Sequence, residues 1–189
     1  MTSQPLPQAG IAQKAGYTSI FQTLFGYSAL LYREEPFAIF RTFLPNPVLA
    51  DLVAAIDAIG RFQKGSHEPA RTVSRSITDY FKGRPFKIEW PPWLWMDLGP
   101  LTPLQLSVLQ ETAKIPYGKQ KSYREIAEAI GHPRAFRFVG SALARNPLPL
   151  LIPCHRVIRS DGTPGQFGGG MPLKQALIDL EKRNTQNLT

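Results

Sequence analysis

Cys154 is the only cysteine of the chain and stands in Pro153-Cys154-His155-Arg156-Val157, directly after the apolar run Leu148-Pro149-Leu150-Leu151-Ile152. The thiolate is the nucleophilic form of cysteine, and a neighbouring imidazole and guanidinium favour it. These residue types point to cysteine chemistry, against the alternative that a lone thiol serves as a small buried hydrophobe. Consecutive side chains of a regular strand face opposite sides, so pairing of Cys154 with His155 requires a bend at Pro153 or a bridging water.

The three histidines, His67, His132 and His155, are scattered without a metal-ligand spacing, and one cysteine excludes an internal disulfide framework. No metal and no cofactor is expected. Twenty-two Lys and Arg against 14 Asp and Glu give a formal net charge of +8, which favours a polyanionic partner such as nucleic acid. No run approaches the ~20 apolar residues of a membrane-spanning helix. Residues 1–16 lack the basic start and apolar stretch of a signal peptide, so a cytoplasmic protein is expected, nuclear in a eukaryote.

The elements that must position the thiol fall into an α/β (α+β) arrangement. After a loose leader, residues 1–16, the segments Ile20-Phe21, Leu24-Phe25, Tyr27, Leu30-Leu31-Tyr32 and Phe37-Ala38-Ile39-Phe40 read as short strands of a small antiparallel sheet. Asn46 before Pro47 reads as the N-cap of a helix carrying Leu49, Leu52, Val53, Ile56 and Ile59, and a second helix carries Val73, Ile77, Tyr80 and Phe81. The stretch 84–103, rich in proline and holding Trp90, Trp93 and Trp95, reads as a connector, which divides the chain into an N-terminal domain 1–88 and a mostly helical C-terminal domain 89–189.

In that second domain Leu104, Val108, Leu109 and Ile115 form a helix closed by Pro116-Tyr117-Gly118, and Ser122-Tyr123-Arg124-Glu125 is a capping box. The helix it opens aligns Tyr123, Ile126, Ala127 and Ile130 and stops at Gly131; a further helix is expected from Pro133 after a three-residue turn. This is a helix-turn-helix pattern. On the second of its helices Phe136, Val139 and Leu143 cluster on one side, and Arg134, Arg137, Ser141 and Arg145 form a basic stripe opposite. Glu181 follows Leu173, Leu177 and Leu180 on a C-terminal helix, where a carboxylate beside the apolar face needs a partner.

From about Gly99 to Glu181, through Ile115-Pro116-Tyr117-Gly118, Ser122-Tyr123, Phe136-Arg137-Phe138-Val139-Gly140, Arg145-Asn146-Pro147, Pro153-Cys154-His155-Arg156-Val157, Gly168-Gly169-Gly170 and Leu180-Glu181, the chain resembles the O6-alkylguanine-DNA alkyltransferases. The resemblance implies repair of O6-alkylguanine, and of O4-alkylthymine, in double-stranded DNA by a monomer that keeps the alkyl group on Cys154 and is thereby consumed. It implies His155 as the base acting through a water and Glu181 as the carboxylate that orients it. Asn146 would hold the recognition helix against the cysteine loop, and Tyr123 would donate to the departing base. Arg137 would enter the stack in place of the flipped nucleotide, with Arg134, Ser141, Arg145, Phe138 and Arg156 toward the DNA.

Phe136 and Phe138 flank Arg137 where the family usually has small residues; Phe136 is expected to be buried and Phe138 to lie near the DNA as an apolar wedge. Phe167 and Gly168 replace a tyrosine and a serine common in the family, and Gly169 is expected to leave room in the substrate pocket for a bulky alkyl group. The competing functions are a non-catalytic lesion sensor, a helix-turn-helix regulator and a cysteine hydrolase.

Overall fold

The computed structural model describes residues 16–86 and 94–186. The connector tryptophans Trp90 and Trp93 lie outside the described residues, as does nearly all of the leader. Three strands, β1 (Tyr17–Thr23), β2 (Gly26–Glu34) and β3 (Phe37–Asn46), form an antiparallel meander. Leu24-Phe25, read from the sequence as strand, instead makes the β1–β2 turn, where Thr23 Oγ1 accepts from Phe25 N at 3.1 Å. Gly26 is obligatory there, since at φ 120° a Cβ would lie 2.4 Å from the Asn46 carbonyl oxygen.

Helix α1 (Leu49–Asp57) starts later than Asn46 promised. Asn46 ends β3, and its Oδ1 accepts from Val48 N at 2.8 Å, so the side chain shapes the approach to the helix rather than capping it. A two-residue strand, β4 (Gln63–Lys64), pairs parallel with β1 and gives the order β3-β2-β1-β4. Helix α2 (Glu68–Phe81) follows. Alternation along β2 sends Leu30 and Tyr32 into the main core with Tyr80 and Phe81 of α2, and Ala29 and Leu31 to the opposite face with Leu52 and Ile56 of α1.

The outer edge of β3 is not left bare. Ile39 N donates to Trp95 O at 2.8 Å and Ile39 O accepts from Asp97 N at 2.9 Å, while farther along Thr42 N donates to Pro147 O at 3.0 Å. Segments from the second half of the chain thus occupy the hydrogen-bonding groups that an edge strand would otherwise expose.

The second half contains α3 (Pro103–Ala113), β5 (Lys121–Ser122), α4 (Tyr123–Ala129), α5 (Phe136–Ala144), a 3₁₀ turn (Cys154–Arg156), β6 (Val157–Ile158) and α6 (Gly170–Gln186). Helix α5 begins at Phe136, three residues beyond the expected Pro133. Gly131 at φ 76° ends α4, and Ala135 N donates to His132 O at 2.8 Å, so Pro133 and Arg134 lie in a turn. The main core is continuous across both halves, joining Leu30 and Tyr80 to Val108, Ile126, Val139 and Leu177.

The capping box of α4 forms as read: Glu125 N donates to Ser122 Oγ at 3.1 Å and Ser122 N to Glu125 Oε2 at 2.6 Å. A second box, Thr102 with Gln105 on α3, escaped the sequence reading. Ser122→Ala is expected to cost ~1 kcal/mol. In urea titrations followed by circular dichroism the unfolding midpoint should fall with an unchanged slope.

Candidate active site

The apolar run before Cys154 buries Leu148, Leu150, Leu151 and Ile152, which carries the thiol into the protein until only 7% of the residue is exposed. The chain then bends into the 3₁₀ turn, so His155 does not continue a strand. Cys154 Sγ accepts from Asn146 Nδ2 at 3.3 Å. The same amide donates to Ile152 O at 2.9 Å, and Asn146 Oδ1 accepts from Leu148 N at 3.0 Å, so both ends of the amide are fixed by the loop that carries Cys154.

His155 is fully buried, and its Nε2 lies 2.8 Å from Glu181 Oε1. An ionised carboxylate only accepts, so Nε2 carries the proton and Nδ1 keeps its lone pair. That Nδ1 is buried with no hydrogen-bond partner in the protein, which leaves a bare acceptor in the turn that starts at the thiol. Burial lowers the pKa of His155, against the opposing pull of Glu181, and favours the neutral imidazole. No hydrogen bond joins the Cys154 thiol to the His155 imidazole among the described residues.

Glu181, 2% exposed on α6, is the acceptor at the centre of this region. Its Oε1 receives Tyr80 OH at 2.7 Å and Arg156 Nη2 at 3.0 Å, and its Oε2 receives Gly118 N at 2.9 Å and Arg156 Nε at 3.0 Å. Burial pushes the carboxyl upward, but the His155 hydrogen bond and the Arg156 guanidinium outweigh it and bring its pKa down to about 2.

Arg156 therefore does not face DNA. It is 7% exposed, pairs with Glu181 and donates through Nη1 to Ile115 O at 2.6 Å. Its expected help to the thiolate fails for the same reason. Burial pushes the Cys154 thiol above its ordinary range, opposed by the Asn146 amide and by Lys174.

Lys174 and Tyr80 escaped the sequence reading. Lys174 is fully buried on α6, donates to Val157 O at 2.6 Å, and holds its ammonium 5.6 Å from the centre of the Tyr123 ring. It has no carboxylate partner among the described residues, and burial lowers its pKa to about 8. The available signal was its position on the apolar face of α6, three residues before Leu177 and four before Ile178. Tyr80 lay hidden among the core positions of α2.

An open cavity of about 1080 Å³ reaches Cys154 and is also lined by Tyr123, Arg137, Ser141, Arg159, Phe167 and Gly168. Tyr123 is half-buried. Gly165, at φ 70°, lets the chain pass it, because a Cβ there would lie 2.8 Å from the Tyr123 hydroxyl. Arg137 and Ser141 are exposed on α5, Arg134 on the turn before it and Arg145 at its end. The guanidinium of Arg137 lies 6.0 Å from the centre of the Phe136 ring.

The two phenylalanines are exchanged relative to expectation. Phe136 is 40% exposed and lines the cavity, whereas Phe138 packs against the core. Because the helix starts late, Phe136 sits in its first turn, where side chains lean toward the N-terminus and past the core. Gly169 also departs from the reading: a Cβ there would meet Leu173 Cδ2 at 2.5 Å and Leu44 Cδ1 at 3.0 Å, so it allows close packing rather than opening the cavity. Gly168, with nothing within 4 Å of such a Cβ, is the glycine that leaves space.

Residues 103–183 match the family described as 6-O-methylguanine DNA methyltransferase, DNA binding domain. Over 115 residues the chain is 41% identical to the methylated-DNA–protein-cysteine methyltransferase of Methanosarcina barkeri, a match that spans 60% of this chain and 69% of the relative. The chain belongs to the methylated-DNA–protein-cysteine methyltransferase family. The inducible family member of Bacillus subtilis is 44% identical over 87 residues, and there the match spans 46% of this chain and 49% of the relative. The fold agrees with that of the Mycobacterium tuberculosis O6-methylguanine methyltransferase, at TM-score 0.69 and 28% identity over 89% of this chain and 94% of the other. The same mycobacterial protein in complex with DNA gives a TM-score of 0.71 at 28% identity, with the same coverage of both chains.

The buried Glu181–Arg156 pair predicts a specific acid dependence for this family member. Glu181→Gln leaves Arg156 buried without an anion and is expected to cost ~3–5 kcal/mol at neutral pH. A depressed carboxyl pKa stabilises the fold above the ordinary value of 4.5 and loses that contribution as pH falls through about 2. The gap in unfolding free energy between wild type and variant should therefore be constant at neutral pH and shrink across that acid window, as measured by denaturant titration at each pH.

Proposed function

We propose that the chain is a DNA-repair methyltransferase that takes the alkyl group from O6 of guanine, and from O4 of thymine, in double-stranded DNA onto Cys154 Sγ. The observation that carries this reading is the juxtaposition in one cavity of a thiol held by Asn146 and a tyrosine hydroxyl, beneath a helix that exposes Arg137, with the buried His155–Glu181 pair behind the thiol. Family membership supplies the class of substrate.

In this mechanism the proton of Sγ passes through a water to His155 Nδ1, and the imidazolium is stabilised by Glu181. The thiolate attacks the alkyl carbon, an S–C bond forms and the C–O6 bond breaks. The electron pair goes to the guanine ring, and Tyr123 OH donates toward the developing charge. A thioether is a poor leaving group, so the alkyl group stays on Cys154 and the protein acts once. Protonated thiol and neutral imidazole form the resting pair, which agrees with burial acting on both groups.

The reacting atom lies inside the duplex, so the nucleotide is extruded at a cost of about a few kcal/mol. Arg137, exposed at the cavity mouth, occupies the vacated position, with Phe136 as the apolar neighbour that presses on the adjacent base. The other exposed cations of this surface, Arg134 and Arg145, meet phosphates.

After incubation with a duplex containing O6-methylguanine, intact-protein and peptide mass spectrometry should find a single methyl group on Cys154 and no further turnover. Cys154→Ser should abolish transfer while keeping duplex affinity; several repaired lesions per protein molecule would overturn the proposal. Arg137→Ala should slow repair of duplex DNA by ~10²-fold or more, by losing the compensation for extrusion. The same variant should leave the reaction with a free O6-alkylated base nearly unchanged, and equal losses on both substrates would remove Arg137 from the extrusion step.

A further inference from the structure

Every hydrogen bond of the Asn146 side chain is made with the 147–154 loop, while its backbone N donates to Leu143 O of α5 at 3.2 Å, so the loop's own shape sets where the amide meets the sulfur. That shape is strained. Leu150 has φ 73°, the one positive φ of a non-glycine residue among the described residues, in a left-handed conformation that L side chains rarely adopt. Leu150 is buried at 2% exposure, and Ile152 N donates to Leu148 O at 2.8 Å across the bend. A strained bend persists only when its surroundings hold it.

The hold comes from the other half of the chain. Thr42 on β3, 4% exposed, donates through its backbone N to Pro147 O at 3.0 Å and through Oγ1 to Pro149 O at 2.8 Å. The two carbonyls flank Leu148, whose N–H is the donor to Asn146 Oδ1. Pro147 and Pro149 have no N–H to offer, so the segment pairs with the edge of β3 through these two carbonyls and through no donor of either proline.

We infer that Thr42 is a positioning residue for Cys154: its paired hydrogen bonds clamp the 147–149 segment of the strained loop, and so keep the Asn146 amide on the sulfur. The inference deepens the proposed transfer reaction and places one determinant of it in the N-terminal sheet, more than 100 residues away in sequence from the loop it holds. The other groups that act on the sulfur are His155 in the turn itself, Lys174 from α6 and Tyr123 from α4, and Arg159 lines the same cavity. None of them is bonded to Thr42. A change at Thr42 therefore reaches the thiol through Asn146 and leaves those charges where they are.

The test reads the thiol directly with iodoacetamide, a small neutral electrophile, so that it stands or falls separately from the identity of the DNA lesion. The rate of Cys154 alkylation is measured against pH in the full chain for wild type, Thr42→Val, Thr42→Ala and Thr42→Ser. Folding is checked by circular dichroism and thermal unfolding. Loss of the amide contact is expected to move the midpoint of the Thr42→Val profile to higher pH and to lower the rate near neutrality roughly tenfold, the equivalent of one pH unit in thiolate fraction. Thr42→Ser, which keeps both donors, should restore the wild-type profile. Thr42→Ala gives the same reading as Thr42→Val if the latter does not fold. A profile that superimposes on wild type while the melting temperature falls would overturn the inference. So would a loss that is equal at every pH and not rescued by serine, because either result makes Thr42 a structural anchor with no hold on the sulfur.

Discussion

The interior carboxylate of Glu181 is the interaction on which the rest of the molecule depends. An uncompensated ion at such depth costs several kcal/mol, and here it is met by donors from Tyr80, Gly118, His155 and Arg156. These donors belong to α2, the turn after α3 and the turn that carries the nucleophile. A single anion thus ties the N-terminal half to the cysteine loop and to α6. It also decides which imidazole nitrogen of His155 bears the proton, so the bond that locks the tertiary structure is the one that leaves Nδ1 with its lone pair.

The thiol is governed by a conflict rather than by one influence. Burial favours the neutral sulfhydryl, while the Asn146 amide and the Lys174 ammonium favour the anion. Lys174 is in the same position from its own side, a cation without a carboxylate partner among the described residues, held by a carbonyl oxygen and the face of Tyr123. Lysine and thiol oppose each other's desolvation across a small volume, the ammonium favouring the thiolate and the thiolate favouring the ammonium.

What was legible in the sequence was local or periodic. The Ser122–Glu125 box is a contact between residues three apart, and the apolar faces of α2 and α6 follow from helical spacing, which also marked Glu181 as a carboxylate in need of a partner. What was illegible depends on direction in three dimensions. Arg156 beside Cys154 in sequence reads as an aid to the thiolate, yet the 3₁₀ turn sends the two side chains to different partners. Phe136 and Phe138 changed places because the buried face of α5 runs through Val139, Ala142 and Leu143, so Phe138, four residues before Ala142, packs beside it while Phe136 stays in the exposed first turn. Tyr80 satisfies every rule for a core aromatic, and only the packing of α2 against α6 gives its hydroxyl an acceptor. Gly169 belongs to the same class, since Leu44 of the distant β3 crowds it together with Leu173 from the first turn of α6.

The depth of Cys154 has a consequence for how the protein waits. Oxidation by peroxide and capture by stray electrophiles both follow thiolate content and solvent access, and this sulfur is shielded in both respects, at 7% exposure and with burial favouring the protonated form. In the proposed reaction the protein is spent in a single encounter, and such a reagent gains more from a long shelf life than from a fast idle rate. The fold stores its sulfur as a protonated, largely covered group beside the cavity, and that storage sets how many molecules of a given stock stay reactive.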